Sequence, residues 1–105
     1  MFKTNEYFEG KVKSIAFKDT KSDATIGVMA KGEYEFGTSK NEVMTVISGK
    51  LIVKLPDCDC WKEYSKFDSF AIKANKKFQV KIEEDSTYIC RYYNDSDCGC
   101  GYNCS

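Results

Sequence analysis

The chain has no histidine, and that absence removes a good deal of chemistry at once. Histidine is the side chain whose ordinary pKa lies near neutrality, and it is the commonest ligand of catalytic transition metals. Any acid or base at work here must be a carboxylate, tyrosine, lysine or cysteine moved out of its usual range. Proline occurs once, at Pro56, and arginine once, at Arg91, so lysine supplies nearly all the positive charge. Basic and acidic residues are equal at 16 each, which creates no field for nucleic acid or an anionic membrane surface. No segment approaches the ~20 apolar residues of a membrane-spanning helix, and the opening MFKTNEYFEG lacks the apolar run of a signal peptide. A soluble cytoplasmic protein is the expectation. Helical patterning is missing too, because apolar residues nowhere recur at helical spacing over more than about two turns.

What the chain does have is alternation. At its centre lie residues 32–55, GEYEFGTSKNEVMTVISGKLIVKL, where Tyr34 and Phe36 alternate with Glu33 and Glu35. An apolar run follows Glu42 and stops at Ser48 and Gly49; then Leu51, Val53 and Leu55 alternate with Lys50, Ile52 and Lys54. A period of two places one row of side chains on a buried sheet face. Pro56 has no N–H to give a ladder, so the strand should end there. Upstream, residues 11–17 (KVKSIAF) predict a strand with Ile15 and Phe17 on one face. Residues 24–30 (ATIGVMA) predict another, with Ile26, Val28 and Ala30 together and Gly27 marking a bulge or a close approach. Residues 1–10 read as a lead-in that packs Tyr7 and Phe8 on a rim, and residues 57–66 as a connection anchored by Trp61 and Tyr64. Short strands follow at 68–72, at 78–83 with Phe78, Val80 and Ile82 on one face, and at 87–93. With 105 residues the chain is one domain, and many short strands make it an all-β barrel or sandwich.

The last eleven residues, DSDCGCGYNCS, have another composition. The expected division is a barrel domain over residues 1–94 and a Cys- and Gly-rich tail over 95–105, because such a composition offers no core. Three of the six cysteines, Cys98, Cys100 and Cys104, are in the tail, and the others are Cys58, Cys60 and Cys90. A disulfide framework suits small secreted chains, and the tail spacing lacks the paired C-x2-C of structural zinc sites. Two readings stay open: a flexible tail of reduced thiols, or a soft-metal site shared with Cys58 and Cys60. Cys90, inside a strand, reads as a small core residue.

Several motifs together carry a resemblance. They are NEYF at 5–8, GKVKSI at 10–15, GVM at 27–29, GEY at 32–34, MTVISG at 44–49, Leu55-Pro56, Trp61, and Cys90-Arg91-Tyr92. Glu42 and Gly49, with six residues between them, also resemble the second half of the first cupin motif. From residue 5 to 93 the chain resembles the small bacterial cupin family of pyrimidine/purine nucleoside phosphorylases. One departure is KAN at 73–75, where the family's pattern has a Val-Pro-Gly or Val-Pro-Ala type turn. The resemblance implies a single cupin-like antiparallel β-barrel of jelly-roll type. It implies cleavage of the N-glycosidic bond of purine and pyrimidine nucleosides by phosphate, giving free base and α-D-ribose 1-phosphate. Phosphate is then a co-substrate, and the partners are a nucleoside and inorganic phosphate; with no histidine to join Glu42, no cofactor or metal is expected. A homodimer is expected, since small cupins cover an edge strand by pairing. The alternatives are a non-catalytic cupin that binds a small metabolite and a thiol-rich metal-buffering protein.

Candidate site residues follow from what phosphorolysis needs. An enzyme that accepts both base classes should hold ribose and phosphate firmly and stack the base on aromatic rings, which suit any π-face. Tyr34, Phe36 and Tyr88 are candidates for that stack, with Tyr92 and Tyr93 behind them. Arg91, the one side chain with a planar two-donor fork, is the first choice for phosphate, against packing on a Tyr ring or pairing with a carboxylate. Lys13 and Lys11 are secondary. Glu42 is expected to bind a ribose hydroxyl or stabilise positive charge at C1′, against a solvated strand-start residue. Thr45 and Ser48 could donate to ribose or phosphate, although Ser48 before Gly49 also fits a plain turn.

Overall fold

A computed structural model describes residues 1–20 and 22–93. The alternating runs become ten strands among the described residues: β1 (Thr4–Tyr7), β2 (Val12–Lys18), β3 (Asp23–Met29), β4 (Gly32–Gly37), β5 (Asn41–Ser48), β6 (Leu51–Lys54), β7 (Trp61–Tyr64), β8 (Ser69–Ile72), β9 (Lys77–Ile82) and β10 (Ser86–Tyr93). Two of these are additions to the expected set. The lead-in forms β1, paired antiparallel with β2, and the connection after Pro56 contains β7, paired with β6. The tail at 95–105, and with it the expected domain boundary, lies outside the described residues.

The strands form two antiparallel sheets, one of six in the order β1-β2-β3-β10-β5-β8 and one of four in the order β4-β9-β6-β7. This is the all-β, cupin-like jelly roll expected, built as two facing sheets rather than one closed cylinder. No helix is long and apolar enough to cross a membrane among the described residues.

Apolar side chains from both sheets make one core. Val12, Val46, Leu51, Val53 and Val80 are completely buried, and Tyr34, Phe70, Phe78, Tyr88 and Cys90 join them. Each such aliphatic side chain contributes roughly 1.5–3 kcal/mol of burial. The rows of β6 and β9 face inward as their alternation predicts. On β2 and β3 the expectation is reversed. Ile15, Ile26 and Val28 are 45–47% exposed, whereas Val12, Ser14, Ala24, Thr25 and Met29 are buried. The inward row there is small and polar at Ser14, Thr25 and Gly27, because the space it faces is not filled by apolar side chains. The aromatic anchors also divide. Tyr64 packs on Phe70 with centroids 4.6 Å apart, while Trp61 stays at the surface with the Lys81 ammonium 4.1 Å above its ring.

Candidate active site

The space beneath that polar row is a cavity of about 400 Å³. It falls within the roughly 300–1,000 Å³ usual for small-molecule sites. Its wall is the inner face of the six-stranded sheet. Because successive residues on a strand point to opposite faces, β10 sends Tyr88, Cys90 and Tyr92 into it as one row. Ser14 from β2, Thr25 from β3, and Glu42 and Met44 from β5 stand beside that row. The opposite side is aromatic, with Phe36 from β4 and Phe78 from β9.

Two turns form the mouth. The end of β1 and the turn after it carry Tyr7 and Phe8 over the cavity, and the end of β4 and the loop after it carry Gly37 and Ser39. Phe8, Glu9 and Gly10 have φ of 54°, 59° and 85°, three consecutive left-handed residues. For the two non-glycine residues this conformation is strained, and it is held by Gly10 N–H to Tyr7 O and Lys11 N–H to Phe8 O, both 3.2 Å. The turn sets the Phe8 ring edge-on to Phe36 at 5.6 Å, and Phe36 lies 5.6 Å from Phe78. The result is an aromatic wall of three rings.

Glu42 is the chemical centre of the polar wall. Burial pushes its carboxyl up from 4.5 to about 7, and a hydrogen bond from the Cys90 thiol to Oε1, at 3.4 Å, partly offsets that. Removing the ionised form from water is the larger effect, so the group is split between acid and carboxylate at neutral pH. The neighbouring groups stay protonated. Burial raises Tyr88, Tyr92 and Cys90 far above their ordinary values, and the Glu42 charge adds to each. Tyr92 OH shares a 3.1 Å hydrogen bond with Thr25 Oγ1, and Tyr88 shares one with Ser14. Every polar group of this wall except the carboxylate is therefore a neutral donor.

Gly27 is what lets Tyr88 reach the cavity. It sits opposite Tyr88 in the β3–β10 register, and a Cβ there would lie 2.5 Å from the Tyr88 oxygen. The close approach expected at Gly27 is this one.

The expected site residues divide by face. Glu42, Phe36 and Tyr88 meet in the cavity. Tyr34 packs at 5.0 Å from Phe8 but spends its hydroxyl on Ala30 O at 2.6 Å, behind the aromatic wall. Arg91, the first choice for phosphate, lies outside the cavity lining. It follows Cys90 on β10, so the alternation points it away from the cavity, and its Nη1 pairs with Asp19 Oδ2. Lys13 pairs with Glu6 at 3.2 Å on the exposed side of β2. Thr45 bonds Ser69 at 2.7 Å and Ser48 bonds Thr87 at 2.8 Å, both on exposed surface outside the cavity lining. Cys90, Ser14, Thr25 and Ser39 belong to the cavity and were not expected there. Parity with Tyr88 along β10 was the available signal for Cys90. Among the described residues the lining holds Glu35 and Glu42 and no lysine or arginine. No three His, Cys, Asp or Glu side chains are arranged to hold a metal ion among them either.

Comparison with known proteins places this geometry. A family profile described as pyrimidine/purine nucleoside phosphorylase matches residues 2–92. A pyrimidine/purine nucleoside phosphorylase of Pseudomonas aeruginosa is 59% identical over 92 residues, which is 88% of this chain and 99% of the relative. A crystal structure of a Vibrio parahaemolyticus protein of unknown function is 40% identical with a TM-score of 0.85, covering 89% of this chain and 99% of that one. A cupin superfamily protein from Desulfitobacterium hafniense, 13% identical with a TM-score of 0.67 over 86% of this chain and 84% of its own, shares the fold.

Proposed function

The chain belongs to the pyrimidine/purine nucleoside phosphorylase family, and from that premise we propose that it cleaves purine and pyrimidine nucleosides with inorganic phosphate to free base and α-D-ribose 1-phosphate. The observation that carries the reading is Glu42, a carboxyl with a pKa of about 7 on the wall of a cavity of nucleoside size. It supplies near-neutral acid–base chemistry to a protein without histidine.

The base lies against Phe8, Phe36 and Phe78, which offer ring faces and edges but no fixed pattern of donors. Such a wall tolerates either base class. The ribose lies toward the polar wall, where Tyr92, Thr25, Tyr88 and Ser14 donate to its oxygens. A phosphate oxygen attacks C1′ as the C1′–N bond breaks, and the bonding pair leaves with the base. Protonated Glu42 gives its proton to the departing nitrogen. The proton carried by the incoming hydrogen phosphate then restores Glu42, so that base and ribose 1-phosphate leave and the carboxyl is as it began. Inversion at C1′ turns a β-nucleoside into the α-phosphate.

With Arg91 on the outer face, phosphate needs another cation. The β4–β5 loop that forms part of the mouth carries Lys40, exposed and one residue from Ser39. Lys40 with Ser39 is the phosphate site we propose, which brings the dianion in past the rim. The test is to incubate the purified protein with uridine or adenosine, with and without phosphate, and to follow base and sugar phosphate. Phosphate-dependent release of both products is expected. Release without phosphate, or none, would leave the cavity as the site of a metabolite-binding cupin.

A further inference from the structure

Two exposed thiols stand together in the turn between β6 and β7. Asp57, with φ of 62°, bends the chain, and Cys58 N–H closes the bend on Leu55 O at 3.2 Å. The bend brings Cys58 Sγ and Cys60 Sγ to 2.9 Å. Neither lines the cavity. Two residues of separation keep their Cα atoms at most about 7 Å apart, at the upper end of the span a disulfide bridges. We propose that Cys58 and Cys60 form a surface dithiol that exchanges with low-molecular-weight disulfides, Cys58 attacking and Cys60 resolving.

The roles follow from the asymmetry of the pair. The hydrogen-bonded contact between the two sulfurs pulls Cys58 below the usual thiol range and holds Cys60 above it, while partial burial and the Asp59 charge oppose the first shift. The thiolate is the nucleophile, and both sulfurs are reachable, Cys60 being exposed and Cys58 partly so. Cys90 contrasts on each count, since it is buried, bonded to Glu42 and pushed up. In the exchange, Cys58 thiolate attacks one sulfur of RSSR, forming Cys58–S–S–R and expelling RS⁻. Cys60 loses its proton and attacks the Cys58 sulfur, expelling the second RS⁻. The two protons released by the cysteines end on the two RS⁻. Two protein thiols are oxidised and one disulfide is reduced to two thiols.

The site is independent of the cavity chemistry, so its test uses no turnover. Full-length protein is titrated with oxidised glutathione, trapped by alkylation and mapped by peptide mass. Trp61, the sole tryptophan and the neighbour of Cys60, supplies a fluorescence signal in real time. The expected product is a disulfide within the peptide spanning 58–60, with Trp61 emission quenched. In the wild-type protein the adduct trapped at short times should be on Cys58, and Cys60→Ser and Cys58→Ser should each stop at a single glutathione adduct on the remaining cysteine of the pair. The proposal is overturned if residues 58 and 60 stay alkylatable, if they cross-link to Cys98, Cys100 or Cys104 instead, or if the first adduct in the wild-type protein is on Cys60.

Discussion

The two faces of β10 are made from one stretch of eight residues and have little else in common. The inner row is uncharged and hydrogen-bonded into a cavity, with Tyr88 and Cys90 buried and Tyr92 partly so. The outer row contains Thr87, Ile89 and Arg91, half-exposed and tied to neighbours at the surface. Arg91 is the most distinctive residue of the chain by type, and Cys90 beside it is among the least expected to matter. Position on the pleat outranks residue type. A strand sorts its side chains by parity before chemistry can act on them, so the rare arginine is separated from the cavity by one peptide unit.

If the inner face holds the chemistry, its carboxyl should give the largest effect. Glu42→Gln keeps the shape and hydrogen-bonding capacity but cannot exchange a proton. Phosphorolysis should fall by about 10²–10⁴-fold, the usual contribution of a general acid or base. The same variant should be more stable at alkaline pH. The folded pKa of about 7 lies above the ordinary 4.5, so the native state holds a proton that the unfolded chain gives up between those values. Stability is therefore full below about pH 4.5 and declines as pH rises to about 7. A rise of about 2.5 units corresponds to a loss on the order of 3 kcal/mol, which Glu42→Gln should not show. Denaturant melts of both proteins at pH 5 and pH 8 measure this, and kcat should fall above about pH 7 in the native enzyme only. An active Glu42→Gln protein would remove the chemical centre from the inner face.

Gly27→Ala attacks the same face from behind. The new Cβ would sit 2.5 Å from the Tyr88 oxygen, so the phenol must leave its place on the cavity wall. Displacing one positioned group by an ångström costs roughly a hundredfold in rate. Overpacking should lower stability by about 1–3 kcal/mol. Activity and urea midpoint, measured together, check it, and a fully active, fully stable variant would show that Tyr88 is dispensable.

The same contrast explains how much was legible from the residues alone. Where a strand alternates large apolar with charged residues, as at Phe78, Val80 and Ile82, its buried face was plain. The turn at Ser48 and Gly49 and the end before Pro56 were equally readable. On β2 and β3 the guide failed, because these strands line a cavity and leave Ile15, Ile26 and Val28 facing outward. There the apolar row is on the wrong side for a core, and only three-dimensional register shows that Ser14, Thr25 and Gly27 face the space. Glu42 was found through its spacing to Gly49. Its pKa was not, since that depends on burial and on Cys90, 48 residues away.

The rim tests the ground between the faces. Lys40→Ala should raise the phosphate KM by roughly tenfold, the lower range of a charge-assisted hydrogen bond because the side chain is exposed. The nucleoside KM should stay within about twofold, as Lys40 does not line the cavity. Initial rates over a matrix of the two substrates separate these effects. An unchanged phosphate KM would move the anion site elsewhere.

The smallest effect is expected from Arg91→Lys, and it is the sharpest test of the comparison. Lysine keeps the charge and loses the planar fork toward Asp19. The two side chains are 32% and 28% exposed, so solvent screens the pair and the loss should be at most about 1 kcal/mol. That corresponds to a fall in Tm of no more than about 4–8 °C. Phosphate saturation should not change, because the side chain points away from the cavity. Asp19→Asn gives the complementary reading: it removes the negative partner and leaves the guanidinium intact. If Arg91 acts only as a surface tie, both variants lose a little stability and neither alters kinetics. If Arg91→Lys instead raised the phosphate KM tenfold at an unchanged Tm while Asp19→Asn lowered it, the guanidinium would be serving phosphate from the outer face. The separation of β10 into a working face and a surface face would then fail at its one arginine.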